Sequence, residues 1–218
     1  MMIDRRRVLG RLLGFTGALG VLAAGFAVAP SFTAPAFAQS QEELLEPQAL
    51  PDMVLGAEDA PVTIIEYASM TCPHCAAFHE NSLPGLKEKY IDTGKVRLIF
   101  REFPFDPRAA AAFMLARCAP KDQYFPMIDV MFRQQNVWAT ARDPRPPLLQ
   151  IAKLAGFTQE SFEACLKNQQ VLDNVMAVKD KAAKEYRVES TPTFFINGEK
   201  QSGAFSVEEM SKFIDKHL

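Results

Sequence analysis

A pair of cysteines two residues apart stands where an apolar strand meets a helix. The motif is Cys72-Pro73-His74-Cys75, and it follows the run PVTIIEYAS, in which both alternating sets of side chains are mostly apolar. Such a run is typical of a central strand that is covered on both faces. From Pro73 to about Tyr90, apolar residues recur at steps of three and four, which predicts a helix.

The position of Cys72 predicts a reactive thiol. Pro73 suits the first helical position, so Cys72 is the expected N-cap, with its sulfur near the free N–H groups of the first turn. We expect the pKa of Cys72 to fall well below the free value of about 8.5, with His74 adding to the stabilisation of the thiolate. Cys75 lies one turn later, within bridging range. The ring is too small to add much stability, which favours a redox role over a structural one.

A metal site is an alternative interpretation of the same residues. Cys72, Cys75 and His79 offer three zinc ligands, but a structural site needs a fourth, and the sequence has no second CxxC and no HxxxH. We therefore expect no metal. His79 is then expected to lie on the helix surface.

The remaining chain places a helical block between two parts of a sheet. KVRLIFREF, residues 95–103, predicts a second strand, whereas residues 106–186 carry helical patterns. Strand patterns return at TPTFFING, where Asn197-Gly198 predicts a hairpin, and Ser206-x-x-Glu209 is a capping box for a last helix. Residues 39–60 are polar and are expected to form a flexible arm with one short strand at 53–55.

The N-terminus indicates export. Three arginines at positions 5–7 precede an apolar Gly/Ala-rich run, and Ala36-Phe37-Ala38 predicts cleavage before Gln39. A transmembrane anchor is the alternative, and the two arginines at 5 and 6 also match a twin-arginine export signal weakly. With a net charge of −2 and no basic block, nucleic acid is not an expected partner. In an oxidising compartment thiols tend to pair.

The motif, the strand before it and the interrupted sheet together resemble the DsbA family of thioredoxin-fold thiol oxidoreductases. CPHC is that family's active-site tetrad, and Thr191-Pro192 matches its cis-proline position. The resemblance implies an α/β thioredoxin fold with an inserted all-helical domain. It divides the chain into a signal peptide (1–38), an N-terminal arm (39–60), a thioredoxin-like domain (61–104 and 187–218) and the inserted domain (105–186).

The resemblance also implies roles for individual residues. Cys72 is the expected nucleophile and Cys75 the resolving partner. Glu66 matches the buried acid of the fold, and a carboxyl in an apolar strand could relay the proton of Cys75. The alternative for Glu66 is an ion pair with a neighbouring Lys or Arg. Pro192 in cis would bring Thr191 next to the sulfurs as part of a substrate-binding edge; a trans proline at a strand start is the alternative.

Two further features qualify this interpretation. A threonine before the cis-proline resembles the isomerase branch of the family, because the best-known oxidases carry an aliphatic residue there. Cys118 and Cys165 both lie in predicted helices, and in an exported protein the default expectation is a structural disulfide between them. Two buried free thiols are the alternative.

The sequence therefore predicts a thiol–disulfide oxidoreductase of the periplasm that introduces disulfide bonds into newly exported or unfolded proteins with free thiols. We expect no cofactor, because the Cys72–Cys75 pair is itself the redox-active group. The resemblance implies a quinone-linked membrane reoxidase of the DsbB type, and the short arm favours a monomer. The alternatives are an isomerase or reductase of the same fold, and a peptide-binding holdase without enzymatic activity.

Overall fold

The computed structural model describes residues 40–218, and within them five strands form one mixed sheet. The strand order is β1-β3-β2-β4-β5; β2 and β3 are parallel, and the other neighbours are antiparallel. The signal peptide predicted at residues 1–38 lies outside the described residues. The strands are β1 (Met53–Leu55), β2 (Val62–Ala68), β3 (Val96–Glu102), β4 (Thr193–Ile196) and β5 (Glu199–Ser202).

Helices cover the sheet and fill the interval between β3 and β4. The short helix α1 precedes β1, α2 and α3 follow β2, α4 to α9 follow β3, and α10 follows β5. The α-helices are α1 (Gln41–Leu44), α2 (Pro73–Asn81), α3 (Leu83–Leu86), α4 (Pro107–Cys118), α5 (Tyr124–Arg133), α6 (Gln135–Trp138), α7 (Arg145–Leu154), α8 (Gln159–Leu166), α9 (Gln169–Lys184) and α10 (Val207–Ile214). A π-helical turn spans Lys87–Ile91, and 3₁₀ turns span Lys121–Gln123 and Asp215–His217.

Strand β2 is the centre of the sheet, as its apolar pattern predicts. All seven of its residues are buried. Glu66 lies in register with Phe100 on β3 and with Phe194 on β4, so its side chain is attached at the centre of the sheet. Ile64 packs with the cluster under α2 and α10, whereas Tyr67 belongs to a cluster on the opposite face.

The helix predicted from Pro73 to about Tyr90 is interrupted. Helix α2 ends at Asn81, and Ser82 lies between it and α3. Pro84 supplies no backbone N–H, so the regular hydrogen bond from residue 84 back along the helix cannot form. Gly85 brings α3 against α10: a Cβ atom there would lie 2.9 Å from a methyl carbon of Val207.

The short strand predicted at 53–55 is confirmed, but the prediction that the rest of residues 40–60 is a flexible arm was wrong. Helix α1 carries a capping box between Ser40 and Glu43, and β1 pairs with β3. The buried guanidinium of Arg101 explains why this segment is fixed. It donates to both carboxylate oxygens of Asp52 at 2.8 and 2.9 Å and to the carbonyl of Leu44 at 2.8 Å. A buried cation needs such partners, and the arm provides them.

The helical block and the sheet share one core. Phe113 of α4, Met131 of α5 and Trp138 of α6 are fully buried in the same cluster as Phe100 of β3 and Met70, which precedes the CPHC motif. The block is therefore packed directly against the part of the sheet that positions the motif.

Candidate active site

Cys72 is the N-cap residue of helix α2. Its backbone is extended, with φ −81° and ψ 118°, and Pro73 occupies the first turn. The backbone N–H of Cys72 donates to the carbonyl of Ser69 at 3.0 Å, which fixes the turn between β2 and α2. No side-chain oxygen caps this helix. The backbone N–H groups of His74 and Cys75 are therefore available to a thiolate at Cys72.

The surroundings of Cys72 lower its pKa to about 5. The largest cause is a hydrogen bond from the Cys75 thiol, which burial opposes; the Thr191 side chain and the backbone N–H groups of Cys75 and His74 lower the pKa further. The contribution of His74 thus comes from its backbone, and its side chain is exposed. A thiolate at Cys72 is stabilised at neutral pH, as expected from its place at a helix N-terminus.

Cys75 has the opposite character. It is completely buried, and burial raises the pKa of its thiol well above the ordinary value. The hydrogen bond to Cys72 and the negative charges of Cys72 and Glu66 raise it further. The two cysteines are free thiols here. Cys72 can therefore attack or leave as a thiolate, whereas Cys75 keeps its proton until a base removes it.

The peptide bond Thr191–Pro192 is cis and lies directly against the motif. The Cys72 thiol donates to the carbonyl oxygen of Thr191 at 3.2 Å. The Thr191 side-chain oxygen is buried and has no hydrogen-bond partner within residues 40–218. A thiolate at Cys72 can accept a hydrogen bond from this hydroxyl group, so ionisation gives it a partner.

His79 is buried, so the prediction that it lies on the helix surface was wrong. It is 6% exposed, and its Nε2 atom lies 3.1 Å from each carboxylate oxygen of the fully buried Glu66. The pairing of Glu66 with a neighbouring Lys or Arg is therefore not what the structure contains. The ring of Phe132, on α5, packs against the imidazole with a centroid distance of 4.4 Å. The helical block thus covers the face of α2 that sequence reasoning left exposed.

Gln135 joins the helical block to the active-site loop, and sequence reasoning missed it. Its side-chain Nε2 donates to the carbonyl oxygens of Met70 at 2.9 Å and of Cys72 at 3.0 Å. It is buried, whereas the adjacent Gln134 is exposed. No local pattern distinguishes these two glutamines, so only the packing of α6 identifies Gln135.

Cys118 and Cys165 form a disulfide bond away from this site. Their Cα atoms are 6.1 Å apart, and the bond ties the end of α4 to α8 across 47 positions of sequence. The sulfur atom of Cys165 lies 3.1 Å from the carbonyl oxygen of Met114, within the same core.

The assembled side chains suit thiol–disulfide exchange. An activated thiol, a buried second thiol and a cis-proline loop meet at the start of α2, and a buried carboxyl–imidazole pair lies farther along the same helix. Across residues 40–218, no three His, Cys, Asp or Glu side chains converge to hold a metal ion. None of the helices in this range has the length and apolar character needed to cross a bilayer.

Comparisons with known proteins point to the same chemistry. The family model described as Thioredoxin matches residues 48–216. Among curated relatives, a protein of Rickettsia bellii named as a protein-disulfide oxidoreductase is 37% identical over 77% of this chain and 64% of its own length. The chain thus spans less than two thirds of that relative. A Bacillus cereus protein named disulfide bond formation protein D is 33% identical over 75% of this chain and 77% of its own.

Solved structures are similar over the same region. Alpha-DsbA1 from Wolbachia pipientis superposes with a TM-score of 0.73 at 37% identity, covering 82% of this chain and 95% of that protein. BdbD from Bacillus subtilis superposes with a TM-score of 0.69 at 23% identity, covering 76% and 92%, a likeness that concerns the fold alone.

Proposed function

The chain belongs to the DsbA family of thioredoxin-fold thiol–disulfide oxidoreductases, and from this premise we propose that it donates the disulfide of Cys72 and Cys75 to thiols of exported proteins. The observation that carries the proposal is the contrast within the motif. The pKa of Cys72 is lowered to about 5 while that of the buried Cys75 is raised. A dithiol form stabilised in this way makes the disulfide form a stronger oxidant.

Exchange begins at the sulfur that can be reached. Cys72 keeps 9% of its surface exposed, and Cys75 none. A substrate thiolate attacks Cys72 Sγ of the bridge, the bond between the two enzyme sulfurs breaks, and Cys75 leaves with the electron pair and takes up a proton. The second thiol of the substrate then attacks the mixed disulfide and releases Cys72 as a thiolate. Two electrons have passed from the substrate dithiol to the enzyme disulfide.

We propose that Thr191 and Pro192 form part of the substrate-binding edge. The Thr191 carbonyl lies 3.2 Å from Cys72 Sγ, and the paired residues of β4 begin only at Thr193. An extended substrate segment that lies alongside residues 191 and 192 would bring its cysteine to this sulfur. Glu66 is proposed as the acid–base group for Cys75, because its charge contributes to the raised pKa of that thiol.

An isomerase or reductase remains the second candidate, and Thr191 is the observation that favours it. A threonine before the cis-proline resembles the isomerase branch of the family, whereas the best-known oxidases carry an aliphatic residue at this position. The two candidates differ in the resting redox state of the Cys72–Cys75 pair: a disulfide donor is kept oxidised, whereas an isomerase or reductase is kept reduced.

The equilibrium reduction potential separates the two candidates. We would measure it against glutathione in a variant that lacks Cys118 and Cys165, so that only the 72–75 pair exchanges. The reduction potential of a strong disulfide donor of this fold is about −120 mV, and that of a disulfide isomerase is about −180 mV. A value close to −120 mV is expected; a value of −180 mV or below would replace the donor role by that of an isomerase or reductase.

A peptide-binding holdase is separated by a simpler measurement. With the pKa of Cys72 near 5, iodoacetamide should alkylate the reduced protein rapidly at pH 6. A thiol that reacts only above pH 8 would favour the holdase, because the motif would then be chemically inert.

The setting of this reaction is part of the proposal. The signal peptide predicted at residues 1–38 and the disulfide between Cys118 and Cys165 support an oxidising, exported location, which we propose to be the periplasm. A quinone-linked membrane protein of the DsbB type is the proposed reoxidase, and the protein is proposed to act as a monomer. The proposed domain boundaries are 61–104 with 187–218 for the thioredoxin-like domain and 105–186 for the helical domain.

A further inference from the structure

A buried carboxyl–imidazole pair lies one helical turn beyond the resolving cysteine. Cys75 and His79 are four residues apart on α2, so they share one helix face. His79 Nε2 lies 3.1 Å from both oxygens of Glu66 on β2. All three side chains are at least nine-tenths buried. The charge of Glu66 acts on the Cys75 thiol, so the three buried groups interact although only His79 and Glu66 are in direct hydrogen-bond contact.

We propose that Glu66 and His79 act as one proton-exchanging unit for Cys75, with His79 as the residue that holds Glu66 in its working state. This inference rests on the proposed disulfide exchange. The pair supplies a proton when Cys75 leaves the bridge and accepts one when Cys75 attacks a mixed disulfide.

The imidazole lowers the cost of burying the Glu66 charge. A carboxylate in an apolar interior is strongly destabilised unless it accepts hydrogen bonds. The imidazole contacts both oxygens of Glu66, whereas a Lys or Arg partner would fix a permanent counter-charge beside them. A histidine can gain or lose a proton in the neutral pH range, so this pair can change its total charge by one.

The charge balance at Cys75 favours transfer of its proton to the pair. The negative charge of Glu66 raises the pKa of the Cys75 thiol, so a thiolate beside an unchanged carboxylate is unfavourable. If the proton lost by Cys75 moves onto the pair, the total charge of the buried region stays the same. A step that moves charge within a low-dielectric region costs less than a step that creates new charge there.

Aromatic rings shield the imidazole of His79 from solvent. Three aromatic rings surround the imidazole, those of Phe78, Phe100 and Phe132, at centroid distances of 5.8, 5.4 and 4.4 Å. The Nδ1 atom of His79 is buried without a hydrogen-bond partner in the described part of the chain. The proton of the neutral ring is therefore expected on Nε2, where it faces the Glu66 carboxylate, and no protein group competes for it at Nδ1.

Other charged groups near the pair lie at its edges. A groove of about 600 Å³ between α2, α3 and α5 is lined in part by His79. The charged residues that line this groove belong to α2, the π-helical turn and α5. Two further titratable groups, Glu102 on β3 and Tyr124 at the start of α5, lie on the Glu66 side of the pair. These groups are Glu80, Lys87, Asp129, Arg133, Glu102 and Tyr124.

The proton balance follows the two directions of exchange. In donation, the substrate thiolate forms a bond to Cys72 Sγ, the Cys72–Cys75 bond breaks, and the Cys75 thiolate takes the proton from the pair. In reoxidation, Cys72 is joined to one sulfur of an oxidising disulfide. Cys75 gives its proton to the pair, attacks Cys72 Sγ and releases that sulfur as a thiolate. The pair then returns its proton to solvent.

The test isolates the step in which Cys75 attacks. The reduced full chain is mixed with oxidised glutathione and quenched with acid at intervals, and the species are separated by mass. Formation of the glutathione mixed disulfide depends on glutathione concentration, whereas its resolution by Cys75 does not. The resolution rate is measured from pH 5 to pH 9 in the wild type and in His79→Gln, Glu66→Gln and the double variant.

The wild-type rate is expected to level off once the pair has lost its proton. In Glu66→Gln, Cys75 must lose its proton to solvent. In His79→Gln, the carboxylate would have to take the proton without an imidazole that can share it. In both single variants the rate should therefore rise with pH up to pH 9 and be slower by about tenfold or more at pH 7. The double variant should be no slower than Glu66→Gln, because the two residues act as a unit. Gln is the matched choice at position 79, since its amide can still donate to Glu66 but cannot carry the proton.

His217→Gln is the matched control, because His217 lies at the last helical turn near Glu199, away from the site. It should keep the wild-type profile. If His79→Gln also keeps the wild-type profile, the inference is wrong even though exchange occurs. If the wild type forms no mixed disulfide, or forms one that Cys75 never resolves, the result contradicts the proposed function. The inference about His79 is then wrong as well.

A second measurement needs no variant. The ring resonances of His79 are titrated by NMR in the reduced and the oxidised wild type, with those of His217 as an internal reference. Coupling between two protonation sites is reciprocal, so oxidation of Cys75 should move the titration of His79 by about half a pH unit or more and leave that of His217 in place. An unchanged titration of His79 would overturn the inference.

Discussion

The two cysteine pairs of this chain are built from the same side chain and do opposite things. Cys118 and Cys165 are 47 positions apart and joined across two helices, inside the core of the helical block. Cys72 and Cys75 are three positions apart and free, at the mouth of a helix. A bridge that closes a long loop restricts the unfolded chain strongly, whereas one that closes a tiny ring hardly does.

The difference teaches that surroundings, and not the sulfur, set the role of a cysteine. The backbone N–H groups at the start of α2 and the Thr191 side chain favour a thiolate at Cys72. At Cys165, by contrast, the sulfur is enclosed by apolar side chains and near only a carbonyl oxygen. Burial without hydrogen-bond donors disfavours the charged thiolate, which is the form that exchanges. One pair is therefore built to change state and the other to keep it.

The largest expected effect is the loss of exchange when the activated sulfur is removed. Cys72→Ser should abolish transfer of a disulfide to a dithiol peptide, because no other sulfur of the pair is exposed. Cys75→Ser should still form mixed disulfides but should release them slowly. The measurement is peptide oxidation followed by chromatography. Transfer that persists in Cys72→Ser and disappears in Cys118→Ala would reverse the roles assigned to the two pairs.

The next largest effect is the loss of stability when the Cys118–Cys165 disulfide is removed. Replacing Cys118 and Cys165 together by Ala should lower the free energy of unfolding by about 4 kcal/mol, the chain-entropy value for a loop of this length. Urea unfolding would be compared in a background that carries Cys72→Ser and Cys75→Ser, so that only the structural bridge varies. A loss below about 1 kcal/mol would mean that packing around α4 and α8 holds the block without the bridge.

A smaller effect is the pH dependence that only the exchanging pair confers. The pKa of Cys72 is about 5 in the folded state and about 8.5 in an unfolded chain. A lowered pKa contributes stability that is fully present above the unfolded value and is lost as the pH falls through the folded value. The reduced protein should therefore gain stability between pH 5 and about pH 8.5 relative to Cys72→Ser.

This pH effect is measured as the difference in unfolding free energy between reduced wild type and Cys72→Ser at several pH values. Cys118 and Cys165 do not titrate while they are bridged, so their removal should leave the slope of the difference unchanged. A flat difference from pH 5 to pH 8.5 would contradict the stabilised thiolate.

The smallest effect is expected at the contact between the two regions. Gln135→Met keeps the length of the side chain but removes its hydrogen bonds to the carbonyls of Met70 and Cys72. Stability should fall by about 1 kcal/mol, because the Cys72 carbonyl still accepts from the Ala76 N–H at 3.2 Å. The matched control is Gln134→Met at an exposed position. Equal losses in the two variants would show that Gln135 does not position the loop.

Local rules of the chain determined much of the molecule from its sequence. The apolar run before the motif gave a central strand, and Pro73 placed Cys72 at the cap of α2. Asn197 and Gly198 have positive φ angles of 43° and 92° in the hairpin that their sequence predicts. The capping box at Ser206 opens α10 as expected. Each of these features depends on neighbours within a few positions, and sequence patterns report such neighbours directly.

Only the tertiary structure decided the partners of the buried polar groups. His79 turned inward because α5 packs over α2, and Gln135 reached the active-site loop because α6 lies beside it. The arm became ordered because Arg101 needed Asp52 as a partner. These contacts join residues that lie far apart in the chain, and burial makes each of them obligatory. A pattern of local spacing carries no information about which distant group will satisfy a buried one.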